Sequence, residues 1–210
     1  MNTQTLQRWL LEAAAEVDVQ ADHLSALDAA LGDGDHGTNM QRGFGAVTDA
    51  ITDVDDDLRP GELLMLAGAT VMNTIGGASG ALWGFALRRA GRSLGDAPSV
   101  DGHGLADMLT AMADAVVELG EAEPGDKTML DALAPAAEAM RRGVDAGACV
   151  ADAVQEASAA ARAGADATAA MEARRGRASF LGVRSVGHQD PSANSVAIVM
   201  EALATAVRTA

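Results

Sequence analysis

Apolar residues recur at helical spacing along almost the whole chain, and no stretch alternates convincingly at period two. The spacing predicts helices near 3–18, 22–31, 38–55, 61–75, 79–95, 103–120, 128–144, 147–163 and 191–208. Turn residues punctuate the breaks between them. Asp55-Asp56-Asp57-Leu58-Arg59-Pro60-Gly61 reads as a solvated turn in which Pro60 opens the next helix. Gly95-Asp96-Ala97-Pro98-Ser99 and Glu123-Pro124-Gly125-Asp126 are turns of the same kind. Asp190-Pro191 has the form of an N-cap followed by proline at the first helical position. The stretch from Gly164 to Arg177 is short on large apolar residues and fits no helix well. With no linker, repeat or disordered tail in view, the pattern predicts one all-α domain over 1–210, a bundle or helical barrel.

Composition narrows this picture. Almost half of the 210 residues are apolar, yet there are only two Trp, three Phe and no Tyr, so Ala, Leu, Val and Met must build the core as closely packed helices. A formal charge of −15 argues against nucleic-acid binding, which needs a basic footprint. It also means that an anionic ligand must be held by local chemistry rather than by the overall field. Cys149 is the only cysteine, which fits a reduced, cytoplasmic setting. Residues 1–19 lack a signal-peptide pattern. The uncharged run Leu63 to Leu87 is long enough for a bilayer, but Asn73, Thr74, Ser79 and the pair Gly76-Gly77 divide it, so two buried helices meeting at a glycine turn are expected and no membrane span.

The densest chemistry lies in Asp28-Ala29-Ala30-Leu31-Gly32-Asp33-Gly34-Asp35-His36-Gly37-Thr38-Asn39. Its glycines fit the spacing of a dinucleotide loop, but two aspartates would face the pyrophosphate and a helix, not a strand, precedes it. An EF-hand fails because Gly37 and Phe44 occupy ligand positions. Hard oxygen ligands among flexible glycines suit Mg²⁺, which commonly joins one or two carboxylates to substrate phosphates. Asp28, Asp33 and Asp35 are therefore candidate metal ligands. The competing reading is a polar turn in which Asp33 or Asp35 caps the next helix, and the two are compatible because a helix N-terminus also attracts phosphate.

Three further stretches bear on function. Gly76, Gly80 and Gly84 fall on one helical face, which serves either tight helix packing or a ligand, and Gly77, Ala78 and Ser79 would offer N–H and hydroxyl groups to phosphate. Gly125-Asp126-Lys127-Thr128-Met129-Leu130-Asp131 is not a P-loop, lacking both the full motif and a preceding strand; its plain reading is Asp126 capping a helix. Arg177 to Ser192 forms a long polar, glycine-spaced loop in which an arginine can bond a phosphate. No Ser/His/Asp or Cys/His nucleophile system is present.

Taken in order, Asp28 with Gly32 to Asn39, Gly76 to Gly80, Gly125 to Met129, Arg177-Ala178-Ser179 and Gly187 to Pro191 resemble the nucleotide-binding L-subunit family of dihydroxyacetone kinase. The resemblance covers essentially the whole chain, whose length matches a free-standing subunit rather than a fused kinase. It implies an antiparallel barrel of eight helices holding ADP or ATP through two Mg²⁺ ions at one end. Asp28, Asp33 and Asp35 would be the magnesium ligands. His36, Gly37, Thr38, Asn39, Gly77, Ala78, Ser79, Gly120, Lys127, Thr128, Met129, Arg177, Asp190 and Pro191 would lie around the nucleotide, with Met129 against the base. It further implies a ketose-binding K subunit as partner and a phosphotransferase-system protein as one source of phosphoryl groups. Related uses of the module are erythrulose-like ketose kinases, fatty acid kinases and Mg-nucleotide-dependent regulators. Val183 and Ser192 depart from the family pattern, which has Glu and Gly there.

Overall fold

Nine α-helices and no strand form among the described residues, 1–55 and 57–209 of the computed structural model: α1 (Thr3–Val19), α2 (Ala21–Ala29), α3 (His36–Ile51), α4 (Pro60–Thr74), α5 (Gly77–Leu94), α6 (Gly102–Gly120), α7 (Leu130–Asp145), α8 (Val150–Ala167) and α9 (Pro191–Arg208). Short 3-10 segments follow at Thr168–Ala170 and Arg177–Ser185. The helix starts obey their local chemistry. The Asn2 side chain accepts from the Thr5 N–H, Pro60 stands at the first turn of α4, and the Asp190 carboxylate accepts from the Ala193 N–H ahead of α9. Asp56, in the expected turn before α4, lies outside the described residues.

Each helix of the ring packs on the next one in the chain, with the short α2 laid against α3, and α9 returns to α1 to close it. The ring α1-α3-α4-α5-α6-α7-α8-α9 is the expected eight-helix barrel. Trp9, Phe44 and Trp83 are fully buried, Phe44 meeting Trp83 edge-on at 5.8 Å between ring centroids. The Trp9 indole N–H donates to the Val199 carbonyl at 2.9 Å, tying α1 to α9.

The uncharged run 63–87 divides at Ile75–Gly76 into α4 and α5, and no described helix is long and apolar enough to cross a membrane. A Cβ on Gly68 or Gly84 would stand 2.7 Å from the other's carbonyl oxygen, so the missing side chains let these two helices nearly touch. Helix packing thus accounts for Gly84, and Gly80 folds against the Ile75 backbone; of the glycine stretch only Gly76 and Gly77 reach a cavity. In α7, Pro135 deprives the Asp131 carbonyl of its helical donor. Helix α8 backs onto that carbonyl at Gly164, where a Cβ would clash with it, and continues to Ala167 rather than ending near 163.

Candidate functional site

The starts of α3, α5, α7 and α9 and the end of α6 gather at one end of the barrel, as alternating helix directions require. They surround a cavity of about 820 Å³, within the roughly 300–1,000 Å³ usual for small-molecule sites. Each helix start contributes backbone N–H groups without helical partners and the positive end of a helix dipole. This is the local electropositive feature that a chain of charge −15 needs to hold an anion.

At the cavity's edge, carboxylate oxygens of Asp28, Asp33 and Asp35 lie within 4.8 Å of one another. Their roles in folding differ. Asp28, half-buried in the last turn of α2, accepts the backbone N–H groups of Asp35 at 3.0 Å and His36 at 3.1 Å and so caps α3. The cap was expected from Asp33 or Asp35; Asp35 occupies the N-cap position, but its side chain makes no cap bond. Both exposed aspartates therefore keep their oxygens free of backbone partners, apart from an ion pair between Asp33 and the Arg177 guanidinium. Oxygens on one octahedral Mg²⁺, with bonds of about 2.0–2.1 Å, lie about 2.9 Å apart when adjacent and about 4.2 Å when opposite, so carboxylate rotations that draw these side chains together fit the donor set to such an ion. A Cβ on Gly32 would stand 2.5 Å from Asp28 Oδ1, so glycine there leaves that oxygen room.

Most of the expected nucleotide contacts meet in the cavity wall: His36, Asn39, Gly77, Ala78, Ser79, Gly120, Lys127, Thr128, Met129, Arg177, Asp190 and Pro191. Gly37 and Thr38 do not line it. Gly37 is buried where α3 crosses α2, and a Cβ on it would stand 2.6 Å from Ser25 Oγ and 2.8 Å from the Ala21 carbonyl carbon; Thr38 points to solvent. His36 bridges three elements, with Nδ1 3.3 Å from Ser79 Oγ and Nε2 3.3 Å from Ser195 Oγ. Burial lowers its pKa, against the opposing pull of Asp28 and Asp35, so the ring is neutral at pH 7.

Lys127 is placed differently from a phosphate ligand. It is 1% exposed, and its ammonium donates to the carbonyls of Thr168 (2.7 Å), Met171 (3.1 Å), Ser185 (2.9 Å) and His188. Three N–H bonds already shared among four carbonyls leave none for a nucleotide. Asp126 does not cap α7 either: it accepts the Glu123 N–H and Arg175 Nε, while Asp131 accepts the N–H groups of Gly125 and Thr128. Burial pushes the Asp190 carboxyl up to about 7; the Ala193 N–H and Lys127 oppose the rise and the Asp131 charge adds to it.

No motif in the sequence marks the cavity's apolar wall, where Leu31, Leu82, Val116, Leu119 and Ala122 join Met129. One signal was legible: the last turns of α6 carry Val117 and Leu119 on the surface, where a helix end is ordinarily polar. Arg42 and Arg175 also line the cavity and carried no motif.

A family model described as the DAK2 domain matches residues 30–205. The chain is 40% identical over 201 residues to the PEP-dependent dihydroxyacetone kinase ADP-binding subunit DhaL of Escherichia coli (strain K12), covering 95% of each chain. It is 43% identical over 181 residues to the L-erythrulose 1-kinase of Mycolicibacterium smegmatis, covering 86% of this chain and 31% of that one. The crystal structure of the dihydroxyacetone kinase from C. freundii in complex with AMP-PNP and Mg²⁺ matches with a TM-score of 0.71 and 28% identity, over 95% of this chain and 33% of that one. This chain thus spans about a third of those two kinases and nearly all of the DhaL subunit. Barrel, cavity and sequence agree: the chain belongs to the DAK2-domain family, that of the DhaL ADP-binding subunits of dihydroxyacetone kinase.

Proposed function

We propose that this chain, as one L-type domain over 1–210, binds Mg-ADP or Mg-ATP in the barrel-end cavity and serves phosphoryl transfer to a short ketose held by a separate K subunit. The observation that carries the reading is the Asp28/Asp33/Asp35 cluster set at the edge of a cavity ringed by four helix starts. Asp28, Asp33 and Asp35 would hold two Mg²⁺ ions, whose charge would neutralise that of the phosphates. The chain's own groups position the nucleotide. Backbone N–H groups at Gly77 and Ala78, with the Ser79 hydroxyl and Asn39, face the phosphates. Arg177, paired with Asp33 in this structure, is within reach of the same charge. Met129, Leu82 and Val116 supply the apolar surface for the base, and Gly120 leaves room beside it. Neutral His36 fixes the α3, α5 and α9 starts relative to one another through its two serine partners. Positioning and charge neutralisation are what such a transfer asks of a protein, and no covalent nucleophile is needed.

The K subunit, a phosphotransferase-type phosphoryl donor and a cytoplasmic setting belong to the same proposal. Similarity to an L-erythrulose 1-kinase supports a four-carbon ketose as a second acceptor reading. Calorimetric titration of ADP and ATP, with Mg²⁺ and with EDTA, into wild-type protein freed of nucleotide and into Asp35→Ala tests the site. Binding that needs both Mg²⁺ and Asp35 is the expected result. A folded, nucleotide-free sample that binds neither nucleotide overturns the reading.

A further inference from the structure

Residues 171–188 run beside the cavity and bring Arg175, Gly176, Arg177 and Ala178 into its wall. Little in this segment holds it down by burial. Phe180 is 86% exposed and Val183 73% exposed, and Gly176, Gly182 and Gly187 sit at positive φ as joints between short 3-10 turns. Hydrophobic packing therefore cannot account for a fixed conformation of its crest.

The two stems of the segment, however, meet around a single group. On the incoming side are the carbonyls of Thr168 and Met171, on the outgoing side those of Ser185 and His188, and all four accept from the Lys127 ammonium. The stems are tied to each other beside it: the Gly187 N–H donates to the Ala169 carbonyl at 2.7 Å, the Ala173 N–H to Ser185 Oγ at 2.8 Å, and the Asp190 N–H to Thr168 Oγ1 at 2.9 Å. Lys127 reaches this neck from a left-handed backbone conformation, φ 63°, which a non-glycine residue adopts only where its surroundings enforce it. A buried ammonium bonded only to carbonyls forms a strong, directional hub, and removing it leaves several carbonyls without a donor at once.

We propose that Lys127 is a positioning residue: its ammonium clasps the neck of the 168–188 loop, and through that loop holds Arg177 and Ala178 in the cavity wall. This rests on the nucleotide reading of the cavity. Lys127 then governs nucleotide affinity through the loop rather than by bonding phosphate.

Lys127→Met keeps the side chain's bulk and removes the charge and donors. The loop carries Arg174, Arg175, Arg177 and Arg184, so trypsin cleavage there reports loop opening without any ligand. The expected result for Lys127→Met is unchanged helical circular dichroism, loop cleavage at least about tenfold faster, and Mg-ADP affinity at least about tenfold weaker, as for loss of a charged hydrogen-bond hub. A specific rescue separates the ammonium from mere packing. Lys127→Cys in a Cys149→Ser background, aminoethylated while unfolded and then refolded, regains a lysine-length ammonium and is expected to recover both properties; the unmodified protein is not. Wild-type cleavage and affinity in Lys127→Met, or a folded aminoethylated protein no better than the unmodified one, overturns the proposal. If the variants do not fold, hydrogen exchange on the wild-type protein decides: amides of both stems opening together supports the clasp, and independent opening of 168–173 and 185–190 overturns it. Should the wild-type protein bind no ADP, the nucleotide reading fails while the cleavage arm still judges the clasp.

Discussion

Replacing Asp28 with alanine removes a candidate metal ligand and a helix cap in one step, whereas the same change at Asp33 removes a ligand and an exposed ion pair. Asp28 Oδ2 is the acceptor for two backbone N–H groups at the start of α3. Loss of such a cap costs about 1–2 kcal/mol. At about 2.1 cal/mol/K per residue, unfolding 210 residues carries an entropy of about 0.44 kcal/mol/K, so the melting temperature of Asp28→Ala should fall by about 2–5 °C. Asp33 pairs only with Arg177, both side chains about half exposed, and Asp33→Ala relieves repulsion within the cluster, so its melting point should stay within about 1 °C of wild type. Melting followed by circular dichroism in EDTA isolates the fold from any bound ion. Asp28→Asn sharpens the comparison, because an amide oxygen still accepts the two N–H bonds while the ligand charge is gone. It should restore most of the melting temperature and none of the Mg²⁺-dependent nucleotide affinity. Equal melting losses for Asp28→Ala and Asp33→Ala, within about 1 °C, would refute the separation of cap from ligand.

Two other perturbations follow from the geometry. Asp190 holds its proton to about pH 7 in the folded chain but releases it near 3.8 when unfolded, so between those values the folded state binds more protons. Its stabilisation is complete below about pH 4 and is lost as pH rises through 7, while buried His36, with its lowered pKa, runs the opposite way below 6.5. Melting curves of wild type and Asp190→Asn should therefore diverge between about pH 4 and 7, wild type falling relative to the variant by at most a few kcal/mol; a pH-independent gap contradicts this. Gly37→Ala forces a methyl group against the Ala21 carbonyl and Ser25 Oγ, where backbone rather than a flexible side chain must yield. A cost of about 1–3 kcal/mol is expected together with weaker Mg-ADP binding, because α3 moves away from α2 and the aspartate cluster spreads. A variant that melts and binds like wild type would show that the two helices are not in contact there.

The ring was legible because its helices carry strong periodicity and ordinary punctuation; Pro60, Asp190 and the glycine break at 76–77 sit where the pattern places them. Boundaries moved where tertiary contact overrode local preference. Helix α8 continues through Gly164, where the glycine packs against the Asp131 carbonyl rather than ending the helix, and α3 starts at His36 because a carboxylate from the preceding helix caps it. The aspartate cluster was legible because its ligands are close in sequence. The apolar cavity wall was not, since Leu82, Val116 and Met129 come from two helices and the cap of a third and look like core residues individually. Lys127 was opaque for a related reason: its partners are backbone carbonyls some 40–60 residues away, which carry no side-chain signature.

The ring also has a seam. Each helix docks on its predecessor as the chain proceeds, α2 aside, until α9 meets α1 across nearly the full length of the sequence, with Arg8 donating to the Thr209 carbonyl at 2.9 Å. The local pairs can form early, but closing the circle must await the last helix, because the loop-closure entropy of bringing chain ends together precedes any reward from their contact. Asp28 and His36 stand on one lip of that closure and Asp190 and Ser195 on the other, with His36 Nε2 to Ser195 Oγ spanning them. A half-folded chain thus has no cavity to offer. Whatever ligand grips both lips acts as a late rivet: it adds RT ln(1 + [L]/Kd) to the stability of the whole barrel rather than of one loop.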